Sequence, residues 1–288
     1  MAAVDPGVSG QGGEIPWQIR IFNRSLKKRL KWQLLERILP PSLPVAARCL
    51  DLGCAKGTFS WLLRTRGGSW VSADLDDANL IATRDLVGPS VVRVDYRTLP
   101  FADGTFDIVS VLDFLEHVAE DGRCLEELSR TLKPGGTFLL SAPATGKFFL
   151  ANRLRRLAGM TMEDYGHVRE GYTLDDLSGR LERLGFHVTL RATYSRFFTE
   201  FLELLLNVFY VRTRSRSRGA ARDGAITPGS ADEVRSLART LRLYNLIYPF
   251  FWLASRLDSL LFFTHGYVVV LLAEKTSLRT EPIDKIAL

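Results

Sequence analysis

The segment from Cys49 to Thr58 constrains the fold of this chain most strongly, because an apolar strand pattern leads there into a turn of small residues and then into a helix. The small residues are Gly53, Ala55 and Gly57. Glycine at a strand-to-helix turn lets a ligand lie against the backbone, and the N–H groups of the first helical turn face that ligand. Asp74 ends the next apolar run, where a carboxylate is placed to accept both hydroxyls of a ribose. The pattern predicts a site for a nucleoside-containing cofactor.

Four further motifs follow this turn along the chain. They are Val91-Val-Arg-Val-Asp95, Leu99-Pro-Phe-Ala-Asp-Gly-Thr-Phe-Asp107, Asp113-Phe-Leu-Glu-His-Val118 and Leu132-Lys-Pro-Gly-Gly136. With the turn, this succession resembles the class I S-adenosylmethionine-dependent methyltransferases, in particular the small-molecule branch with LDLGCGxG, LPFxDGxFD, LEHV and LKPGG signatures. The resemblance covers about residues 47 to 190. The order and spacing of five motifs is more specific than any one of them.

The resemblance implies a Rossmann-like α/β fold with a mostly parallel seven-stranded sheet, and S-adenosylmethionine as the cofactor. It also implies a set of residues that contact this cofactor. They are Asp51, Gly53, Cys54, Ala55, Gly57, Asp74, Leu75, Asp95, Tyr96, Asp113 and Phe114. The family has glycine where this chain has Ala55. A methyl group is tolerated there if φ stays negative, so we expect a slightly altered turn and a functional site.

The periodicity of the sequence predicts the arrangement of the elements. From Cys49 to Leu190, short apolar strands alternate with amphipathic helices, which indicates βαβ units and a parallel sheet. Strands are expected near 47–52, 69–74, 91–94, 106–112, 136–141, 186–194 and 266–273. The resemblance to the class I methyltransferases implies that the last two strands are an adjacent antiparallel pair, so the residues between them are interpreted as a helical insertion. The predicted division is a disordered tail (1–13), an amphipathic helix (14–41), a cofactor-binding core (42–194), the insertion (195–265) and a final strand with a tail (266–288).

The amphipathic helix carries much of the excess positive charge of the chain, which has a formal net charge of +6. Its apolar side is formed by Phe22, Leu26, Leu30, Leu34 and Ile38, and Arg20, Arg24, Lys27, Lys28 and Lys31 lie broadly opposite. One interpretation is a helix that caps the cofactor cleft and exposes its basic face to solvent. The other is a basic face that meets anionic lipid or a substrate phosphate. The two interpretations are compatible.

The insertion combines two apolar runs, 197–211 and 243–263, with an Arg-rich linker between them. The first run is shorter than the roughly 20 residues that span a bilayer as a helix. The second contains Pro249, Arg256 and Asp258, and each central charge costs about 2.5–3.5 kcal/mol. An interfacial helical hairpin beside anionic lipid is therefore the favoured interpretation. The alternatives are a lid on the core and an oligomer interface.

The cysteines and the N-terminal residues indicate in which cellular compartment the protein is expected. The three cysteines have neither metal-ligand spacing nor the pattern of a secreted disulfide framework, and residues 1–13 do not resemble a signal peptide. We expect a cytoplasmic protein, peripheral on the inner face of the cell membrane. No metal ion is expected, and the oligomeric state is not predicted.

Methyl transfer from a sulfonium is an in-line displacement, so the protein mainly aligns the acceptor and excludes water. An oxygen acceptor must also lose its proton. His167, in the loop before the last crossover helix, is the candidate base or acceptor-orienting group, and Arg169 and Tyr172 are candidates to orient a polar acceptor. His117, in the LEHV motif, is interpreted as mainly structural.

Three classes of function are compatible with these patterns. The first is a methyltransferase that O-methylates a small-molecule, glycan or lipid-linked acceptor at the membrane surface. The second is an RNA methyltransferase whose basic segments follow phosphates, although the sequence contains no recognisable RNA-binding module; binding to DNA is not expected. The third is a non-catalytic S-adenosylmethionine-binding protein, for which the replacement of glycine by Ala55 is the only support.

Overall fold

The structure, a computed structural model, describes residues 15–146, 150–157, 159, 162, 165–215 and 238–276. Seven strands form one sheet, and they match the seven strands predicted from the periodicity. The strands are β1 (Leu43–Leu52), β2 (Gly67–Asp74), β3 (Val91–Arg93), β4 (Phe106–Leu112), β5 (Leu132–Pro143), β6 (Phe186–Tyr194) and β7 (Val268–Lys275). The helices before the insertion are α1 (Trp17–Phe22), α2 (Leu26–Ile38), α3 (Thr58–Arg64), α4 (Asp77–Val87), α5 (Asp121–Thr131), α6 (Leu150–Leu157) and α7 (Leu174–Arg183).

The strand order is β3-β2-β1-β4-β5-β7-β6. All neighbouring pairs are parallel except those of β7, which runs antiparallel to both β5 and β6. The chain leaves β1 toward β2 and β3 and then returns to the other side of β1 with β4. A crevice therefore forms beyond the carboxyl ends of β1 and β4, where ligands bind in open α/β sheets. The α/β fold and the mostly parallel seven-stranded sheet are confirmed.

The sheet is covered on both faces, as the alternation of side chains along β4 shows. Val109 and Val111 belong to one buried cluster, which includes residues of α5 and α7. Ile108 and Leu112 belong to a second cluster, which includes residues of α1, α2 and α3. Successive residues of a strand point to opposite faces, so a strand that is apolar at every position is buried on both.

The N-terminal segment forms two helices, where the sequence predicted one. The helix is interrupted between Phe22 and Leu26. Ser25 then caps α2 by accepting a hydrogen bond from the Lys28 N–H at 3.3 Å. The buried face of α2 also differs from the predicted one, because Lys31 is buried beside Trp32 and Leu35 while the predicted row from Leu30 to Ile38 is only partly buried.

The insertion is helical. It contains α8 (Phe197–Ser215), α9 (Ala238–Ser255) and a 3-10 segment (Arg256–Leu261). Of the helices in the described residues, none is both long enough and apolar enough to cross a bilayer. The predicted disordered tail and most of the Arg-rich linker lie outside the described residues.

Candidate active site

The turn after β1 is shaped by two glycines with positive φ, Gly53 at 80° and Gly57 at 82°. A Cβ atom on Gly53 would lie 2.6 Å from the Phe114 side chain, so only glycine fits at this position. The Gly53 N–H donates to the Ala73 carbonyl of β2 at 2.8 Å, which holds the turn against the neighbouring strand. The turn therefore joins the ends of β1, β2 and β4 at one point.

Ala55 has a φ of 48°, so the expectation of a negative φ at this position was wrong. A non-glycine residue in the left-handed region is sterically unfavourable and costs of the order of 1–3 kcal/mol unless its surroundings fix it. Two hydrogen bonds fix it here: the Ala55 N–H donates to Asp74 Oδ2 and the Ala55 carbonyl accepts from Thr83 Oγ1, both at 2.9 Å. The left-handed conformation at this position is thus held without a glycine.

Asp74, which ends β2, organises two turns at once. Its Oδ1 accepts hydrogen bonds from the N–H groups of Leu75 and Asp76 and from the Asn79 amide, and its Oδ2 accepts the bond from Ala55. The side chain is almost fully buried. Oδ2 accepts this one hydrogen bond, whereas Oδ1 accepts three, so Oδ2 retains the capacity to accept a ribose hydroxyl.

Leu75, Asp95 and Tyr96 were predicted separately as cofactor residues, and the structure places them around one open groove. The groove has a volume of about 510 Å³ and is also lined by Val94, Arg93 and Arg97. Asp95 is exposed, whereas Tyr96 and Val94 are buried. Apolar walls, an aromatic ring and a carboxylate that accepts hydrogen bonds suit a purine ring with an exocyclic amino group. The residues present thus fit the adenosine part of the predicted cofactor.

Asp51 and Cys54 are buried under the turn. Asp51 accepts a hydrogen bond from Ser60 Oγ at 2.5 Å, which connects the end of β1 to α3. Burial raises the pKa of the Asp51 carboxyl to about 6, against the opposing effects of the Ser60 hydrogen bond and the Arg64 charge. Asp51 therefore supports the turn from beneath.

Asp113, at the end of β4, has a φ of 54° and forms an ion pair with Lys31 of α2. Its other oxygen accepts from Ser141 Oγ at 2.7 Å. Although burial opposes ionisation, the Lys31 charge and these hydrogen bonds hold the pKa of Asp113 below its ordinary value. Lys31 was not predicted as a site residue, because the basic face that includes it was interpreted as exposed to solvent or as meeting anionic lipid or a substrate phosphate. A usable signal was its position one turn before Leu35, a core residue of the same helix.

The helices above the crevice are tied together by the buried carboxylate of Glu200 on α8. Glu200 pairs with Lys27 of α2 at 2.9 Å and with Arg155 of α6, and it accepts a hydrogen bond from Ser195 Oγ at 2.6 Å. Burial opposes ionisation of Glu200, but the two cations lower its pKa below the ordinary value. Helices α2, α6 and α8 are therefore held as one cover beside the ends of the strands, and the prediction that the N-terminal segment caps this cleft agrees with the contacts of Lys27 and Lys31.

His167 and His117 lie together with Glu116, after the end of β4. The two imidazole rings are 4.8 Å apart and nearly perpendicular, and the Val168 N–H donates to the Glu116 carbonyl at 2.9 Å. Burial, with a smaller contribution from the neighbouring His117, lowers the pKa of His167 to about 4. His167 is thus neutral near pH 7 and presents a lone pair, but it is too weakly basic to retain a proton there.

Arg169 and Tyr172 have contacts that do not support the predicted role in orienting the acceptor. Arg169 donates to Asp121 Oδ2 at 2.6 Å and to the Val118 and Ala119 carbonyls, and the buried Tyr172 hydroxyl donates to the same Asp121 oxygen at 2.8 Å. Both side chains use these hydrogen bonds to attach their loop to the start of α5. The prediction is corrected accordingly: these two residues hold the loop that carries His167.

The sheet order, the glycine turn at the switch point and the groove beside Asp95 and Tyr96 are features of a nucleoside-cofactor-binding protein of the doubly wound α/β class. Residues 50–140 match the family model described as "Methyltransferase domain". Residues 50–140 thus form a methyltransferase domain of the class I S-adenosylmethionine-dependent type, and S-adenosylmethionine is the cofactor of this domain. The predicted family, fold and cofactor are confirmed, while the roles of individual residues toward the cofactor stay predictions.

Two curated relatives and one solved structure illustrate the similarity. The chain is 29% identical over 211 residues to the mitochondrial arginine-hydroxylase NDUFAF5 of Homo sapiens, covering 64% of this chain and 60% of that protein. It is 35% identical over 100 residues to a ubiquinone biosynthesis O-methyltransferase of Pseudomonas aeruginosa, covering 33% of this chain and 43% of that protein. The chain therefore spans less than two thirds of the length of either relative.

The solved structure is phosphoethanolamine N-methyltransferase 2 of Haemonchus contortus in complex with S-adenosyl-L-methionine. It has a TM-score of 0.52 and 18% sequence identity, and the match covers 85% of this chain and 52% of that chain. At this level of identity, the similarity supports the fold alone.

Proposed function

We propose that this protein transfers the methyl group of S-adenosylmethionine to a hydroxyl of a small-molecule or lipid-linked acceptor at a membrane surface. The observation that carries the proposal is the Gly53–Gly57 turn, which Asp74 locks beside the groove of Leu75, Asp95 and Tyr96 at the switch point of the sheet. When bound, S-adenosylmethionine supplies an electrophilic methyl group. The protein then has to align the acceptor with that group and exclude water.

The cover formed by α2, α6 and α8 is suited to this task. The charged side chains of its three helices pair with one another, because Glu200 of α8 binds Lys27 of α2 and Arg155 of α6. Helices held in this way keep bulk water from the ends of the strands and leave the acceptor to approach from the loop that carries His167. The neutral His167 imidazole can accept a hydrogen bond from the acceptor hydroxyl and so orient its oxygen. We assign His167 this orienting role and leave the proton to a solvent base.

The acceptor class is inferred from the relatives and from the surface of the insertion. The P. aeruginosa relative is named for ubiquinone biosynthesis, and its likeness to this chain is confined to about a third of it. A quinone-like or lipid-linked acceptor is apolar and resides in the bilayer. An enzyme acting on such a molecule benefits from a surface that contacts the membrane.

The insertion presents such a surface, which we call the apolar face. It consists of Leu246, Phe250, Leu253, Leu257 and Leu260, which recur at helical spacing along α9 and the 3-10 segment and are 42% to 70% exposed. Phe262 and Phe263 extend it. An amphipathic helix normally turns such a row inward, and a row of this length at the surface marks an interaction site.

The charges around the apolar face favour an anionic bilayer as its partner. The guanidinium of Arg24 lies 5.6 Å from the ring of Tyr248, and that of Arg256 lies 4.5 Å from the ring of Trp252, so both are held beside α9. Asp258, the only acidic residue between 238 and 263, is buried and accepts hydrogen bonds from the N–H groups of Arg196 and Phe198. We propose that the protein is peripheral on the inner face of the cell membrane.

A second candidate function is hydroxylation, because the relative with the longest alignment of those described above is named an arginine-hydroxylase. Hydroxylation inserts one atom of O₂ and reduces the other to water with two electrons from a reductant, so purified protein is incubated in air with ascorbate, methyl-labelled S-adenosylmethionine, a membrane-lipid extract and an arginine-containing peptide. Label recovered in a lipid product with the mass gain of one CH₂ group supports methyl transfer. A product with the mass gain of one oxygen atom, without label, contradicts it.

The same incubation tests the remaining alternatives. Label recovered in added RNA and not in lipid would favour the RNA methyltransferase. Tight S-adenosylmethionine binding without any labelled product from lipid, glycan or RNA fractions would favour a non-catalytic binding protein.

A further inference from the structure

Glu116, His117 and His167 come together in the structure, although no metal site was predicted from the sequence. One ligand atom from each, a carboxylate oxygen and two imidazole nitrogens, lies within 4.8 Å of the others. We propose that these three residues bind a divalent transition-metal cation such as Zn²⁺. Two imidazoles and one carboxylate form a three-ligand set that zinc uses in sites where a fourth position stays open. The proposal concerns binding alone and does not depend on the proposed methyl transfer; a bound cation takes the His167 lone pair, so the orienting role described above belongs to the cation-free protein.

The tautomer of His117 is set for ligation. Its Nδ1 lies 2.9 Å from the Gly166 carbonyl oxygen. A carbonyl can only accept, so Nδ1 carries the proton, and the lone pair of the ring resides on Nε2. A histidine that binds a metal usually donates its other N–H in this way to a backbone carbonyl or a carboxylate. The Nε2 atom points toward the Glu116 carboxylate, 3.9 Å from Oε1.

Glu116 supplies an independent observation. Its side chain is only 1% exposed, and Oε2 has no hydrogen-bond partner among the described residues. A buried carboxylate oxygen without a partner is costly, so such atoms are almost always satisfied by a hydrogen bond, water or an ion. The unpartnered oxygen belongs to the same carboxylate that approaches His117. A cation between the carboxylate and the two imidazoles would satisfy it.

The ligand set also indicates the type of cation. Imidazole nitrogens suit zinc, cobalt, nickel and iron, whereas magnesium and calcium prefer oxygen alone. Zinc bonds of about 2.0–2.2 Å place tetrahedral ligands roughly 3.4 Å apart, so the three side chains must approach one another by about 1 Å. The His117 side chain is 37% exposed, so it has room to move toward the other two ligands by rotation about its side-chain bonds. Its exposure leaves the fourth position accessible from solvent or from the acceptor side.

Cobalt provides a direct probe, because Co²⁺ bound by nitrogen and oxygen ligands absorbs visible light. The full chain, first treated with a chelator, is titrated with Co²⁺ and then with Zn²⁺ as competitor, by absorption and by calorimetry. We expect one equivalent of Co²⁺ without the intense sulfur charge-transfer band that the three cysteines would give. Glu116→Gln, His117→Gln and His167→Gln should each weaken binding by at least about tenfold, as loss of a ligand does.

His187→Gln is the matched control, because His187 is an exposed histidine at the start of β6, away from the cluster. It should bind Co²⁺ like the wild type. The proposal is overturned if the wild-type chain binds no Co²⁺ or Zn²⁺, if binding depends on the cysteines, or if the three cluster variants bind as well as His187→Gln does. S-adenosylmethionine affinity is measured on every variant; it shows that each is folded, and its value separates failure of the cation site from failure of the cofactor site.

Discussion

Lys31 of α2 and Asp113 at the carboxyl end of β4 form an ion pair that joins the N-terminal helix to the cofactor edge of the sheet. The two side chains are unequally buried: that of Lys31 is 6% exposed and that of Asp113 is 37% exposed. Lys31 also lies 4.7 Å from the centre of the Phe59 ring. The pair therefore holds the positively charged ammonium of Lys31 under the helices of the cover, at the end of β4.

Because Lys31 is more deeply buried than Asp113, replacing the two residues should lower the free energy of unfolding by different amounts. Asp113→Asn leaves a buried ammonium without its counter-ion and should lower the free energy of unfolding by about 3 kcal/mol. Lys31→Met leaves a carboxylate that is partly exposed and still bound by Ser141, so it should cost only about 1 kcal/mol. Urea unfolding of the cofactor-free protein measures both values. Equal losses, or a larger loss for Lys31→Met, would contradict the structural assignment of the pair.

Asp74→Ala should weaken S-adenosylmethionine binding about tenfold to a hundredfold, because a ribose hydroxyl loses its acceptor and the Ala55 N–H loses the bond that fixes its positive φ. Calorimetry measures the affinity. Asp77→Ala is the matched control, since Asp77 begins the adjacent helix and its side chain is 67% exposed. Unchanged affinity in a folded Asp74 variant would reject this residue as a cofactor ligand.

Asp51 predicts a pH dependence of stability. Burial raises the pKa of its carboxyl to about 6, above the value of about 3.9 in an unfolded chain, while Ser60, Arg64 and Lys31 oppose the shift and Asp74 adds to it. The folded state thus prefers the protonated form. Its stabilising contribution is complete below pH 4 and is lost as the pH rises through 6.

Asp51→Asn should remove this dependence. The free energy of unfolding of the variant, minus that of the wild type, should rise by about 2–3 kcal/mol between pH 4 and pH 7. Unfolding in urea without cofactor at several pH values tests this, and a difference that does not change with pH would be incompatible with a raised pKa. Ser60→Ala should shift the transition to higher pH, because it removes a hydrogen bond that favours the carboxylate.

The positions of the strands along the chain and the position of the cofactor turn could be predicted from the sequence because both depend on local patterns. β4 is apolar at nearly every position, and glycines stand where the chain turns with positive φ, at Gly53 and Gly57. Such features depend on near neighbours in the chain. They are therefore visible without knowledge of the tertiary contacts.

The features that the sequence did not predict depend on contacts between distant residues. Lys31 is buried because Asp113 lies opposite it, and Ala55 adopts a positive φ because Asp74 and Thr83 bind its backbone. Tyr172 and Arg169 are directed to Asp121, which lies about fifty positions earlier in the chain. A pattern of residue types contains none of these partners. The same holds for the approach of His167 to Glu116 and His117.

His167→Ala should lower turnover by up to about a hundredfold if the acceptor is a hydroxyl, because the imidazole that orients its oxygen is lost, and it should leave the affinity for S-adenosylmethionine intact, because His167 does not line the groove of Asp95 and Tyr96. Initial rates and calorimetry separate the two quantities. Loss of both binding and turnover would instead indicate that His167 maintains the loop, and full activity would indicate a carbon or nitrogen acceptor.

The apolar face predicts how the protein binds membranes. Each exposed Leu or Phe that enters the bilayer contributes up to about 1.5–3 kcal/mol, and each nearby Arg about 1 kcal/mol, of which only the second is screened by salt. Vesicles containing anionic phospholipid should therefore bind the protein, and high salt should release only part of it. The double variant Phe250→Ser/Leu253→Ser should bind these vesicles at least about tenfold more weakly than the wild type, and its affinity for S-adenosylmethionine should be unchanged. Ile81→Ser, which removes an equally exposed residue from α4, should bind like the wild type. A wild-type protein that stays in solution beside anionic vesicles would show that the apolar face serves another partner, such as a second copy of the chain.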